Sequence, residues 1–312
     1  MIDWLRDYLG TPPDVWAPQL TLVLLLFFRP WAQHSPAGTL SSLVGVTYGL
    51  CIGAGLILTP VAHEPLFWAV LTVIHFAWIY SAYHLADNHH YLEGYWCLSL
   101  ALALGGADAG DALARSATLL IGVVFLLAAV WKLASRSFRT GAFFLQSMLF
   151  DRRFLPISVW IGGLSLAVQD EHRQARTRAH QGVAFAPADL PRRLTAVAGV
   201  LTWWTIAIEM AVAIVFLAPA AFSDAARIAV LVLFCITTYV LVPVPAFGHI
   251  LVLLLLVSVP DGTWRMWLLA VSCLISVTPD MLFATYPIAK RSLAARPAPP
   301  GAAPAAMATT PH

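Results

Sequence analysis

The sequence predicts an all-α fold, specifically a polytopic transmembrane helical bundle of about eight spans. Three observations support this: 60% of the 312 residues are hydrophobic, only 11% are charged, and the mean hydropathy is +0.77. Soluble domains carry about 25% charged residues, so this chain has too little polar surface to face water. Its apolar runs are long enough to cross a bilayer as helices and too continuous for barrel strands.

The apolar runs place the elements in order along the chain. Residues 1–35 form an N-terminal lead-in, in which 16–28 are short for a span and are interpreted as an interfacial or partly inserted helix. A transmembrane domain over residues 36–290 follows. Its spans are predicted at 40–61, 67–86, 90–107, 116–134, 194–219, 226–243, 246–259 and 264–286.

Two segments do not have the pattern of spans. Residues 135–195 are predicted to form a polar loop, interrupted by a short apolar piece at 154–168. Residues 291–312 are rich in alanine and proline and are expected to be disordered, because they cannot build a core. The four cysteines lie scattered in apolar runs without a C-x-x-C pair, so we expect packing residues and no metal site.

Basic residues near the span ends predict the orientation. Most of the arginines lie within 135–195 or after the last predicted span, whereas the opposite side carries three arginines among several acids. The positive-inside rule therefore places both termini and the polar loop in the cytoplasm. Arginines beside a membrane boundary favour membrane lipids as partners, and no nucleic acid is expected.

Three places hold polar groups that are costly at membrane depth. The first is the turn DNHHYLEGYW at residues 87–96, between the second and third predicted spans. An interfacial aromatic belt would explain Tyr91 and its aromatic neighbours. It does not explain Asn88 followed by His89 and His90, so these residues are candidates for a polar site.

The second place is Lys132, near the end of the fourth predicted span. The chain contains 16 arginines but only two lysines, and a membrane anchor could be either residue. A desolvated lysine can lose its proton whereas arginine keeps its charge, which favours a deprotonatable amine here. An ordinary cationic anchor remains the alternative. Glu209, inside the fifth span, is expected to pair with Lys132 or a histidine, or to be protonated.

The third place is the helix-breaking run PVPAFGH at residues 243–249, which ends in His249. A tight interhelical turn with a structural histidine is the alternative interpretation. Counting spans places this turn, the residue-88 turn and Lys132 on one membrane face. The shared face favours a single polar site over unrelated features.

Short motifs resemble the vitamin K-dependent gamma-glutamyl carboxylase family. The run NHHYLEG at 88–94 resembles that family's NHSYLYG, and VVFLLAAVWKL at 123–133 is similar to its FIAGVKKL helix. The run FGH at 247–249 is similar to its Phe-His step. In order and spacing, residues 40–285 resemble the HTTM (horizontally transferred transmembrane) superfamily, which includes this carboxylase and many bacterial membrane proteins.

The resemblance implies an enzyme, carboxylase- or epoxidase-like, in a bacterial inner (plasma) membrane. Lys132 matches the base that deprotonates vitamin K hydroquinone, after which oxygenation yields a strong base that abstracts a glutamyl proton. His89 would be the hydrogen-bonding partner of Lys132. Asn88, Glu209, His249 and Tyr91 would be supporting groups. A quinol and a peptide or protein substrate are the implied ligands.

Two other functions are compatible with the same residues. The chain could be a non-catalytic accessory or maturation factor, or a transporter, whose polar groups line a conduit or hold helices together. It could also be a b-type haem protein, with His75 and either His84 or His89 as axial ligands.

Overall fold

The computed structural model describes residues 7–28, 39–81, 88–172, 190–239 and 245–259, together with 265, 267–268 and 271–272. Over these residues the fold is all-helical, which confirms the all-α part of the prediction. The predicted tail at 291–312 and most of the last predicted span lie outside the described residues.

The helices follow the apolar runs closely, and each of the first seven predicted spans overlaps one of them. Their bounds are α1 Pro13–Phe28, α2 Thr39–Ile57, α3 Pro65–Ser81, α4 Asn88–Ala103, α5 Ala109–Ala134, α6 Arg136–Arg139, α7 Ala142–Phe150, α8 Arg192–Leu217, α9 Asp224–Tyr239 and α10 Pro245–Ser258. Single 3-10 turns occupy Thr59–His63, Arg152–Phe154 and Pro219–Ala221, and a π-helical turn occupies Ile157–Ile161.

In the described part of the chain, α5 and α8 are long and apolar enough to cross a membrane. Each has 26 residues, which corresponds to about 39 Å of helix at 1.5 Å per residue. The other strongly apolar helices, among them α1, α3 and α10, are shorter.

The two long helices pack closely against each other. Gly122 lies on the buried face of α5, and a Cβ atom added there would lie 2.7 Å from Cγ of Leu217 on α8. Buried residues recur every four positions along α5, from Leu113 through Phe125 to Ala129. Lys132 follows three residues later, so it continues this face towards α8.

Helix α1, which the sequence suggested as an interfacial or partly inserted helix, packs among other helices. Trp16, Ala17 and Leu22 are fully buried, and α1 contacts α2, α5 and α10. A helix that is apolar on all sides is stabilised best when other helices surround it. Hydropathy alone does not distinguish burial among helices from contact with lipid.

The segment predicted as a polar loop is folded over its first half. Helices α6 and α7 and the turns that follow them build a second hydrophobic cluster against the start of α8. Its buried members are Phe138, Phe144, Met148, Leu149, Phe154, Ile157, Leu164, Leu194 and Ala198. Charged side chains such as Asp151 and Arg153 pair on its surface, which accounts for the polar composition.

Arg265 is buried and connects the N-terminal segment to the end of α10. Its guanidinium lies 5.1 Å from the ring of Trp16. It donates hydrogen bonds to the carbonyl oxygens of Leu9, Thr11, Leu256 and Val259.

Replacing Arg265 with methionine should therefore destabilise the protein. We expect the free energy of unfolding to fall by about 2 kcal/mol, because several buried carbonyl oxygens lose a charged donor. Chemical denaturation in detergent, followed by circular dichroism, measures this change. Arg192→Met removes an exposed arginine and is the matched control. Equal stability of the two variants would contradict the structural role of Arg265.

Candidate functional site

A cavity of about 700 Å³ lies between α4, α5, α8 and α9 and is covered by the segment from Phe138 to Phe154. This volume falls within the range of about 300–1,000 Å³ that is usual for small-molecule sites. Most of its wall is aliphatic or aromatic. The polar residues in the wall are Asn88, Tyr91, Tyr95, Trp131, Lys132, Trp204, Thr205, Glu209, Thr237 and Thr238.

Lys132 and Glu209 form a buried ion pair in the cavity wall. The Nζ atom of Lys132 donates to both carboxylate oxygens of Glu209. Only 13% of the lysine side chain and 8% of the glutamate side chain are exposed. The sequence suggested Lys132 as one of the possible partners of Glu209. The pair joins the last turn of α5 to the middle of α8, the two helices of spanning length.

An aromatic wall adjoins the ion pair. The Phe138 ring centroid lies 5.5 Å from Nζ of Lys132, within cation–π distance. Phe138 stacks on Phe143 with centroids 4.1 Å apart, and it packs edge-on against Trp131 at 5.1 Å. Phe144 and Phe154 continue the wall. This wall presents flat ring surfaces to the cavity, directly beside a charged pair.

Hydroxyl groups from α9 lie on another part of the wall. Thr237 accepts a hydrogen bond of 3.2 Å from Nε1 of Trp204. The Oγ1 atom of Thr238 is buried and has no hydrogen-bond partner within the described residues. A hydroxyl in this state can both donate to and accept from a ligand oxygen.

The predicted site residues divide into two groups. Asn88, Tyr91, Lys132 and Glu209 line the cavity. His89 and His249 are buried but are not among its lining residues. The His89 ring packs against that of His90, with centroids 3.9 Å apart. Among the described residues, Glu209 rather than His89 is the hydrogen-bonding partner of Lys132.

His75, which the sequence suggested as a possible axial haem ligand, is buried and hydrogen-bonded within the protein. Its Nδ1 atom lies 2.8 Å from the hydroxyl of Tyr48, and its Nε2 atom lies 2.7 Å from the carbonyl oxygen of His90. Both ring nitrogens thus have hydrogen-bond partners within the protein. His84 lies outside the described residues.

The aromatic wall was not predicted from the sequence. Phe138, Phe143, Phe144 and Phe154 belong to the segment predicted as a polar loop, because arginines flank them. Five phenylalanines within 17 residues (138–154) were the available signal, because large apolar side chains are uncommon in an exposed polar loop. Their contribution to a cavity requires the segment to fold back onto α8.

No family model, curated protein or solved structure matches this chain. The function is therefore inferred from the geometry and chemistry of the cavity. The three features that matter are its volume, its aromatic wall and its buried ion pair.

Proposed function

We propose that this chain is a membrane enzyme of the HTTM type whose cavity binds a lipid-soluble quinol and removes a proton from it. The observation that carries the proposal is the buried pair of Lys132 and Glu209 in the wall of an aromatic cavity. Ionisable groups in apolar surroundings are costly, and they are found mainly where they act on a ligand, an ion or a proton.

The exposed surfaces of the two long helices support a membrane location. Leu127 and Val130 on α5, and Val200 and Trp203 on α8, are exposed. Only 28% and 39% of the apolar windows of α5 and α8 are buried inside the protein, whereas the core helix of a soluble protein is mostly buried. Lipid is the solvent that suits such faces.

The full topology that we propose is a polytopic bundle of about eight spans in a bacterial inner (plasma) membrane. The helices α2, α3, α4, α9 and α10 would cross together with α5 and α8. Both termini would be cytoplasmic by the positive-inside rule.

The cavity suits a planar and mostly apolar ligand. Flat rings pack well against the stacked and edge-on aromatic side chains of the wall. A quinol also carries two hydroxyl groups, and polar partners for them are present on different walls. One is the Lys132–Glu209 pair and another is the hydroxyl of Thr238. Asn88 and Tyr91 would be supporting groups at the end of α4 that borders the cavity.

The Lys132–Glu209 pair can remove a proton from the quinol in two steps. First, the ammonium group of Lys132 passes one proton to the Glu209 carboxylate, which leaves a neutral amine and a carboxylic acid. The amine then accepts the proton of a quinol hydroxyl; the O–H bond breaks and its electron pair remains on the oxygen. The ammonium group is restored and stabilises the adjacent quinolate anion. His89 and His249, which are outside the lining, would position neighbouring helices.

The resemblance extends this proposal to an oxygen-dependent reaction. The quinolate would be the species that reacts with molecular oxygen, as in the carboxylase family. A peptide or protein substrate would enter only at that later stage. These steps rest on the motifs at 88–94 and 123–133, whereas the proton transfer rests on the cavity itself.

A non-catalytic role is the second candidate, because the ion pair also connects α5 to α8. In an accessory protein or transporter the pair would hold the two helices together. The two roles differ in what they require of residue 132. A structural cation can be arginine, whereas a base must be able to lose its proton.

Quinone binding tests the proposal directly. Trp131 and Trp204 line the cavity, so a bound naphthoquinone should quench their fluorescence. Ala128→Phe fills part of the cavity and should weaken binding of a short-chain naphthoquinone about tenfold or more, the effect of losing about 1.4 kcal/mol.

Val130→Phe is the matched control, because Val130 is exposed on the same helix and is not a lining residue. Its dissociation constant should equal that of the wild type. Equal binding by all three proteins would place the quinone outside this cavity.

A further inference from the structure

Glu93 is a second buried acid, and it lies away from the cavity. It is on α4, where only 4% of it is exposed. Its carboxyl borders a small void between α1, α4 and α10. The Oε2 atom has no hydrogen-bond partner in the described part of the chain. This acid therefore lacks the kind of partner that Glu209 has in Lys132.

The void beside Glu93 has room for one water molecule. Its volume is about 10 Å³, which is close to the lower limit for holding a single water. Thr21 lies on the opposite wall, where its hydroxyl donates to the carbonyl of Ala17 at 2.7 Å and accepts from Nε1 of Trp96 at 2.9 Å. One lone pair of the hydroxyl is still available. A water could therefore bond to both Thr21 and Glu93.

Within the described ranges, no opposite charge lies close to Glu93. Its titratable neighbours are the Tyr48 hydroxyl and the Cys97 thiol, and neither group can become a cation. Apart from Thr21, the residues that α1 and α10 contribute to the void are apolar, namely Leu24, Leu25, Ala246, Ile250 and Leu253. An isolated carboxylate in these surroundings would lose its hydration without compensation.

We propose that Glu93, Thr21 and one enclosed water form a proton-binding site, in which the Glu93 carboxyl carries the proton. The ligand of this site is a proton together with the water that delivers it. Binding converts the carboxylate to a carboxylic acid, with one new O–H bond and no other change. The site is separate from the quinol cavity. Leu92 lines the cavity, whereas the adjacent residue Glu93 lines the small void on another side of α4.

Several polar groups lie between this site and the start of α4. The Tyr48 hydroxyl, which interacts with Glu93, is hydrogen-bonded to Nδ1 of His75. The other nitrogen of His75 bonds to the carbonyl oxygen of His90, and the His90 ring packs against that of His89.

Infrared spectroscopy of the purified full-length protein tests the site. A protonated carboxylic acid has a carbonyl stretching band separate from that of a carboxylate, and this band shifts when H₂O is replaced by D₂O. We expect the wild type to show such a band, and we expect Glu93→Gln to lose it. Glu209→Gln is the matched control and should keep the band, because Glu209 is ion-paired. Loss of the band in Glu209→Gln alone, or no change in Glu93→Gln, would overturn the proposal.

Thermal unfolding gives a second and independent readout. Glutamine has nearly the shape of a protonated glutamic acid, so the unfolding midpoint of Glu93→Gln should match that of the wild type. A large fall in the midpoint, or a variant that fails to fold, would show that Glu93 is charged and paired, and would also overturn the proposal.

Discussion

Replacing Lys132 with methionine should destabilise the protein by about 3 kcal/mol, because the Glu209 carboxylate would remain buried without its counter-charge. Replacing Glu209 with leucine should have a similar effect, since it leaves the ammonium group unpaired. Both side chains are largely buried, so solvent screening does little to reduce these costs. Chemical denaturation in detergent micelles, followed by circular dichroism, measures the free energy of unfolding.

The double variant Lys132→Met/Glu209→Leu is the critical control. It removes both charges at once, and we expect its stability to return to within about 1 kcal/mol of the wild type. Arg153→Ala provides a comparison with an exposed pair, since 49% of the Arg153 side chain and 29% of that of its partner Asp151 are exposed. That change should cost less than about 1 kcal/mol. Single variants at Lys132 or Glu209 with wild-type stability would contradict a buried ion pair.

Much of the fold could be predicted from the sequence, because long apolar runs favour helices, in which the backbone polar groups are hydrogen-bonded to each other. The predicted spans at 116–134 and 194–219 correspond to α5 and α8, which carry the ion pair. The burial of α1 and the fold of the segment after α5 could not be predicted. Both depend on which surfaces meet in three dimensions, and a hydropathy profile contains no such information.

The candidate site was predictable where a polar residue interrupts an apolar run. Lys132 and Glu209 were identified in this way, and the structure brings them together. The motif at 88–94 was less informative, because adjacent residues of a helix point about 100° apart. Asn88 and Tyr91 face the cavity, whereas Glu93 faces the small void. The structure separates the two groups of residues because it shows that α4 begins at Asn88 and how the helix packs against its neighbours.

The second large effect is expected on the rate of turnover when Lys132 is replaced. Lys132→Arg keeps a cation beside Glu209 but removes the group that can become a neutral base. General-base catalysis contributes about 10²–10⁴ to a rate, so turnover of a naphthohydroquinone should fall at least about 100-fold. Glu209→Gln should cause a comparable loss, because the amide cannot accept the proton from Lys132.

The most direct test compares naphthohydroquinone oxidation by the wild type and by Lys132→Arg, each reconstituted in lipid vesicles and supplied with oxygen. Oxygen uptake gives the rate, and tryptophan fluorescence quenching shows whether the quinone still binds. We predict that the wild type consumes oxygen and that Lys132→Arg binds the quinone with unchanged affinity but consumes almost no oxygen. A Lys132→Arg protein as active as the wild type, or a wild type that binds the quinone without any turnover, would contradict the assignment of Lys132 as the base.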